Sequence, residues 1–209
     1  NQFFDSAQFL TFNVDIKYTT DTIFGKYESD RELANYVLNG KSIYYRMGEM
    51  EYMQNDSFAI TAYNSEKTLI VTKQNVQQAS TLFPLKEFSD SALNYFFTSY
   101  DVTISDSDDV RVIKFKSDSL NVPFKEFAIY YEPSRFTLAK IEMTFLQAPN
   151  SENLPDSNMI APALINKHIS MEFSGYRFIE NTDMFKDDQY IYFDRRRKEY
   201  SAAGKYEGY

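Results

Sequence analysis

The chain has no cysteine, no tryptophan and a single histidine, His168. The missing cysteine excludes disulfides, cysteine nucleophiles, thiolate-bound zinc and iron–sulfur clusters. It does not decide the compartment, because an exported protein can do without disulfides. Glycine and proline are sparse, at 6 each in 209 residues, which argues against a parallel α/β chain with glycine-rich phosphate loops. No apolar run approaches the roughly 20 residues of a membrane-spanning helix. Positive charge is in the minority: 22 Lys plus Arg against 30 Asp plus Glu give a net charge of -8. That balance speaks against nucleic acid as a partner, since phosphate binding depends on cationic side chains. The chain opens on Asn1 rather than Met, so a signal segment is expected to have been removed ahead of it, and whether a lipid-anchor cysteine went with it is left open by the sequence.

Aromatic side chains are abundant, with 19 Phe and 17 Tyr making up 17% of the chain. The dominant pattern is alternation with a period of two, the mark of a half-buried strand. Leu10, Phe12, Val14, Ile16 and Tyr18 alternate with Thr11, Asn13, Asp15 and Lys17, and Ile169, Met171 and Phe173 alternate with Ser170, Glu172 and Ser174. Further strands are expected at Leu33–Leu38, Ser42–Met47, Met50–Met53, Phe58–Tyr63 and Thr68–Thr72, as an antiparallel meander. The Asn39-Gly40 pair between the first two of these is a hairpin turn signal. Later strands are expected at Val102–Ile104, Val110–Lys116, Glu126–Tyr131 and Phe136–Phe145, with Gln189–Phe193 as a last edge strand.

Helix signals are fewer. Leu93, Phe96, Phe97 and Tyr100 form one helical stripe behind a cap at Ser89 or Asp90. Asn75–Leu82 and Gln2–Phe9 are shorter helical candidates, and the Pro-, Asn- and Ser-rich stretch 148–163 reads as a long loop or flap. The expected fold is mainly β (α+β): a curved antiparallel sheet of about nine or more strands wrapped around two or three helices. It is expected to form one domain over residues 1–200 with a mobile tail at 201–209.

The segment Ser42-Ile43-Tyr44-Tyr45-Arg46, then Met50-Glu51-Tyr52, Ala62-Tyr63-Asn64 and Thr68-Leu69-Ile70-Val71 resembles the bacterial lipoprotein-carrier superfamily, the LolA/LolB-like proteins. Pro often follows the arginine in those carriers, and Met47 stands there in this chain. The resemblance implies an unclosed β-barrel with helices plugging its open side. It also implies an apolar cavity that carries lipid or lipoprotein acyl chains across the periplasm. It makes lipid or an acylated protein the expected partner, beside an envelope protein and peripheral contact with a membrane.

For such a cavity, the lining or rim residues are Phe12, Val14, Ile16, Tyr45, Arg46, Met143, Phe145, Met171, Phe173 and Phe96. Burial of apolar area, at about 25 cal/mol per Å², would supply the affinity. Methionine adds adaptable surface. The Tyr side chains 44, 63 and 130 are expected on the outer face, and Arg46 is expected near the rim with its stem on Tyr45 or Tyr52.

Nothing points to an enzyme, a cofactor or a metal. His168 falls on the polar side of its strand, and no serine sits in a nucleophile-elbow sequence. Asp106, Asp108 and Asp109 cluster where a hairpin turn is expected but lack the glycine and terminal glutamate of an EF-hand loop. Arg195-Arg196-Arg197-Lys198 is the one basic run, suited to phosphate headgroups or an acidic partner, or else to a solvated strand exit. The sequence therefore leaves two main readings. One is a lipid or lipoprotein binding and transport module of the cell envelope. The other is an interaction module of an envelope assembly, using the same fold with a filled core.

Overall fold

The computed structural model describes residues 9–20, 29–39, 42–73, 97–107, 109–119, 122–147, 165–180 and 182–209. Eleven strands form one antiparallel sheet. They are β1 (Phe9–Thr20), β2 (Ser29–Asn39), β3 (Ser42–Met47), β4 (Met50–Gln54), β5 (Phe58–Tyr63), β6 (Thr68–Lys73), β7 (Asp101–Ser107), β8 (Val110–Lys116), β9 (Glu126–Glu132), β10 (Thr137–Gln147) and β11 (Ile165–Ile179). Their hydrogen-bonded order is β6-β5-β4-β3-β2-β1-β11-β10-β9-β8-β7, with β6 and β7 at the two ends. The sheet is therefore open, as the family resemblance implies, and antiparallel, as the alternation and the turn spacing predict. Gln189–Phe193, expected as an edge strand of this sheet, instead contributes to β12 (Ile191–Asp194), which pairs only with β13 (Glu199–Ala202) in a separate hairpin.

Helix is scarce among the described residues: one turn at 97–99 and three short 3-10 turns within 183–206. The helical candidates Asn75–Leu82 and Gln2–Phe9 lie outside the described residues, apart from Phe9, which opens β1. The stretch 148–163 and Phe96 also lie outside them. Of the stripe expected at 93–100, Tyr100 is buried but Phe97 is 59% exposed.

The chain falls into two compact units. The first holds Asn1–Val14, Leu33–Glu87 and Ser174–Tyr209. Here the alternation of β1 buries Leu10, Phe12 and Val14. Thr11 departs from the pattern and is 3% exposed, because its hydroxyl donates to the Tyr36 carbonyl at 2.8 Å. The core of this unit joins Met53, Phe58, Ile60 and Ala62 to Tyr190, Ile191 and Tyr206. Residues 201–209, expected as a mobile tail, thus pack onto the strands, with Tyr206 fully buried. Asn55 fixes the approach by donating to the Phe185 carbonyl at 2.9 Å.

The second unit holds Asp15–Glu32 and Phe88–Phe173. Register places Phe115 opposite Phe127, Met143 opposite Phe127, and Ile141 opposite both Ile129 and Met171. These residues share one apolar face, where Tyr100, Phe115, Phe127 and Ile141 are buried. The other face is ionic, with Lys114 on Glu126 at 2.6 Å and Lys17 on Glu172 at 3.2 Å. Arg31 grips Asp15 with two hydrogen bonds of 2.9 and 2.6 Å, and this holds the Asp15 carboxyl below its ordinary range.

Candidate ligand-binding face

In the first unit the antiparallel pairing of β2 with β3 sets Tyr36 opposite Tyr45. The β3–β4 turn then sets Tyr45 opposite Tyr52. Opposed residues of an antiparallel pair point to the same side. The result is a row of five rings on one face, Tyr176, Phe12, Tyr36, Tyr45 and Tyr52, with successive centroids 5.3, 5.4, 5.2 and 5.1 Å apart. The rings lie within 30° of parallel to their neighbours, Phe12 and Tyr36 within 8°. Five strands at ~4.8 Å spacing make this a track about 20 Å long.

The track is uncharged. Burial raises the Tyr36 and Tyr45 phenols above their ordinary value and pushes Tyr52 up to about 12, so all three stay neutral. Tyr52 donates to the Gln54 Oε1 at 2.8 Å. Gln54 lies on the same side of β4 and is 3% exposed, and its Nε2 has no hydrogen-bond partner among the described residues. A buried amide N–H without an acceptor costs about 1–3 kcal/mol. One end of the track therefore carries a donor suited to a carbonyl or carboxylate oxygen.

The sequence-derived lining residues fall into separate places. Phe12 and Tyr45 lie in the ring track, and Val14 is buried on the same side of β1 as Phe12. Arg46 is exposed and opposes Glu51, on the other side of β3 from Tyr45, so its stem does not lie along Tyr45 or Tyr52. Met143, Met171 and Phe173 are partly buried against the core of the second unit, where Ile16 and Phe145 are half-buried. Tyr44, expected on an outer face, packs against the core of the first unit. Tyr130 donates to Glu142 on the ionic face of the second unit. Tyr36, Tyr52, Tyr176 and Gln54 were absent from the sequence-derived set.

Other candidates resolve into structural roles. Thr144 Oγ1 lies 3.0 Å from His168 Nδ1. Asp106 pairs across the β7–β8 hairpin with Arg111 at 2.6 Å, while Asp108 lies outside the described residues. Among the described residues no group of three or more His, Asp or Glu is arranged to hold a metal. No described helix is long and apolar enough to cross a membrane.

No family model matches the chain, and no curated protein matches it. Among solved structures it is similar to a LolA superfamily protein from Nitrosomonas europaea, at 13% identity over 88% of this chain and 92% of the other, with a TM-score of 0.36. It is similar to a conserved protein from Thermus thermophilus at 6% identity, 83% and 81% coverage and a TM-score of 0.42. It is also similar to a domain assigned to outer-membrane lipoprotein sorting from Vibrio parahaemolyticus, at 11% identity, 83% and 88% coverage and a TM-score of 0.30.

Proposed function

We propose that this chain is a non-enzymatic lipid-binding protein of the cell envelope that lays an acyl chain along the ring track of Tyr176, Phe12, Tyr36, Tyr45 and Tyr52. The observation that carries the reading is the length and neutrality of that track. About 20 Å of stacked ring faces matches an extended long-chain acyl group, and burial of apolar area supplies affinity without directed bonds. Gln54 gives the track polarity: its unpartnered Nε2 would meet the carbonyl or carboxylate of the ligand. The lipoprotein-carrier resemblance agrees with this assignment, and carriage of a lipid or of an acylated protein follows from it.

A titration with a fluorescent long-chain fatty acid tests the reading. Saturable binding is expected, weakened by Tyr45→Asp, which puts a charge into the middle of the track. No saturable binding by the wild-type protein, or equal binding by the Tyr45→Asp variant, would leave the envelope interaction module as the better reading.

A further inference from the structure

The basic run Arg195-Arg196-Arg197-Lys198 forms the tip of the β12–β13 hairpin. Its shape is fixed from both sides. The Asp194 carboxylate accepts from the backbone N–H groups of Arg196 and Arg197 at 2.8 and 3.3 Å, and Lys198 takes a left-handed φ of 57° to close the turn. Arg197 faces Asp194 at 3.9 Å and Glu199 at 3.7 Å. Among the described residues the side chains of Arg195, Arg196 and Lys198 have no acidic partner, and all three are exposed.

Aromatic rings stand directly behind these cations. Phe193 and Tyr200 form an edge-to-face pair at 5.2 Å and are 50% and 42% exposed, and Tyr192 is 51% exposed. Lys73 Nζ lies 5.9 Å from the Tyr200 ring centroid. Cations at a rigid tip with rings one residue behind are the combination that suits a headgroup layer: charge meets phosphate while the rings take the interfacial zone. The rest of the molecule sharpens the argument. A chain of net charge -8 is repelled by an anionic surface almost everywhere, so approach by the tip is the favoured orientation.

We infer that the β12–β13 hairpin is a docking tip for an anionic lipid surface. This goes beyond the acyl-binding reading and does not depend on it, because docking uses exposed residues outside the ring track. Each cation near such a surface contributes about 1 kcal/mol, or roughly a fivefold change in partition. Replacing Arg195, Arg196 and Lys198 together should therefore weaken binding about a hundredfold.

Flotation of the full chain with vesicles tests this. The wild-type protein should float with phosphatidylcholine vesicles containing about one third phosphatidylglycerol, not with pure phosphatidylcholine, and salt should reverse it. The R195A/R196A/K198A variant should stay behind while keeping the wild-type circular dichroism and fatty-acid titration. Tyr192→Ser, which keeps every cation, should give a smaller loss. Three outcomes overturn the proposal: no flotation of the wild-type protein, equal flotation with neutral vesicles, or unchanged flotation of the triple variant. Competition by soluble polyglutamate at lower concentration than anionic vesicles would also overturn it in favour of an acidic protein, and displacement by millimolar phosphate in favour of a free anion.

Discussion

Lys205 Nζ lies 2.8 and 2.9 Å from the two carboxylate oxygens of Glu51, a residue 154 positions earlier in the chain. Glu51 is 4% exposed and also accepts from the Tyr206 hydroxyl at 3.1 Å, the Tyr44 hydroxyl at 3.2 Å and the Asn64 amide at 3.0 Å. A buried charge is tolerated only when it is paired and hydrogen-bonded, and here five contacts do both. The pair fastens the C-terminal segment over β3, β4 and β5.

Replacing Glu51 by Ala should cost about 3 kcal/mol, since it strands Lys205, Tyr206, Asn64 and Tyr44 at once. Lys205→Met should cost roughly 1 kcal/mol, because the hydroxyl and amide donors remain and Lys205 is largely exposed. Urea unfolding measures both. Hydrogen exchange should show lost protection at 190–206 first. Equal losses for the two variants would refute this ranking.

Glu51 also sets a pH dependence. Burial pushes its pKa up, but the Lys205, Asn64 and Tyr206 donors outweigh that and leave it below the ordinary 4.5. A depressed folded-state value contributes stability above the unfolded value and loses it as pH falls through the folded one. The stability gap between wild type and Glu51→Gln should be widest above pH 4.5 and should close below it. A gap that is constant with pH would show that the carboxylate charge is irrelevant to the latch.

Gly175 has a φ of +69°, and a Cβ there would sit 2.9 Å from Asn13 Nδ2. Asn13 in turn accepts from Asn35 Nδ2 at 3.0 Å. Gly175→Ala should destabilise by about 1–3 kcal/mol through backbone strain and this clash. Adding Asn13→Ala should recover only the part due to the clash. Full recovery in thermal unfolding would mean the backbone is unstrained.

The ring track separates stability from binding. Phe12 is 4% exposed, so Phe12→Ala should cost about 3–5 kcal/mol of stability. Gln54→Leu removes the unpartnered amide and with it the acceptor of the Tyr52 hydroxyl, two opposing effects that should leave stability within about 1 kcal/mol while weakening fatty-acid binding severalfold. Unchanged affinity would separate Gln54 from the ligand.

Much of this architecture is legible in the sequence, and particular residues show where legibility stops. Ser42–Met47, Phe58–Tyr63 and Val110–Lys116 have the strand limits expected from the sequence, because turn residues such as Gly48 and Asn64-Ser65-Glu66-Lys67 bound them. The register of the ring track was only partly within reach. A two-residue turn at Asn39-Gly40 would set Tyr36 opposite Ile43, whereas Asn39 is still paired, with Ser42, and Tyr36 therefore faces Tyr45. The Gly48-Glu49 turn does place Tyr45 opposite Tyr52 by counting three residues back and forward. Tyr176 was beyond reach, since no local turn ties β11 to β1. Glu51 reads as an ordinary outward position between Met50 and Tyr52, and only a partner far along the chain makes its burial tolerable. The last nine residues have no period at all. Tyr206 is held by Tyr190 at 5.2 Å and by Glu51, which no local pattern encodes.

The latch has a consequence for the order in which the protein is completed. Met53, Ile60 and Ala62 are covered by residues 190–206, which are synthesised well after them. Until then the meander from β3 to β6 stands half-finished, with its apolar side awaiting a lid made more than a hundred residues later. The second unit, whose segments end at Phe173, needs none of residues 174–209. Closing the core of the first unit therefore joins segments far apart in the chain and carries the cost of a very long loop. A holding factor acting on the nascent chain would find its binding surface there.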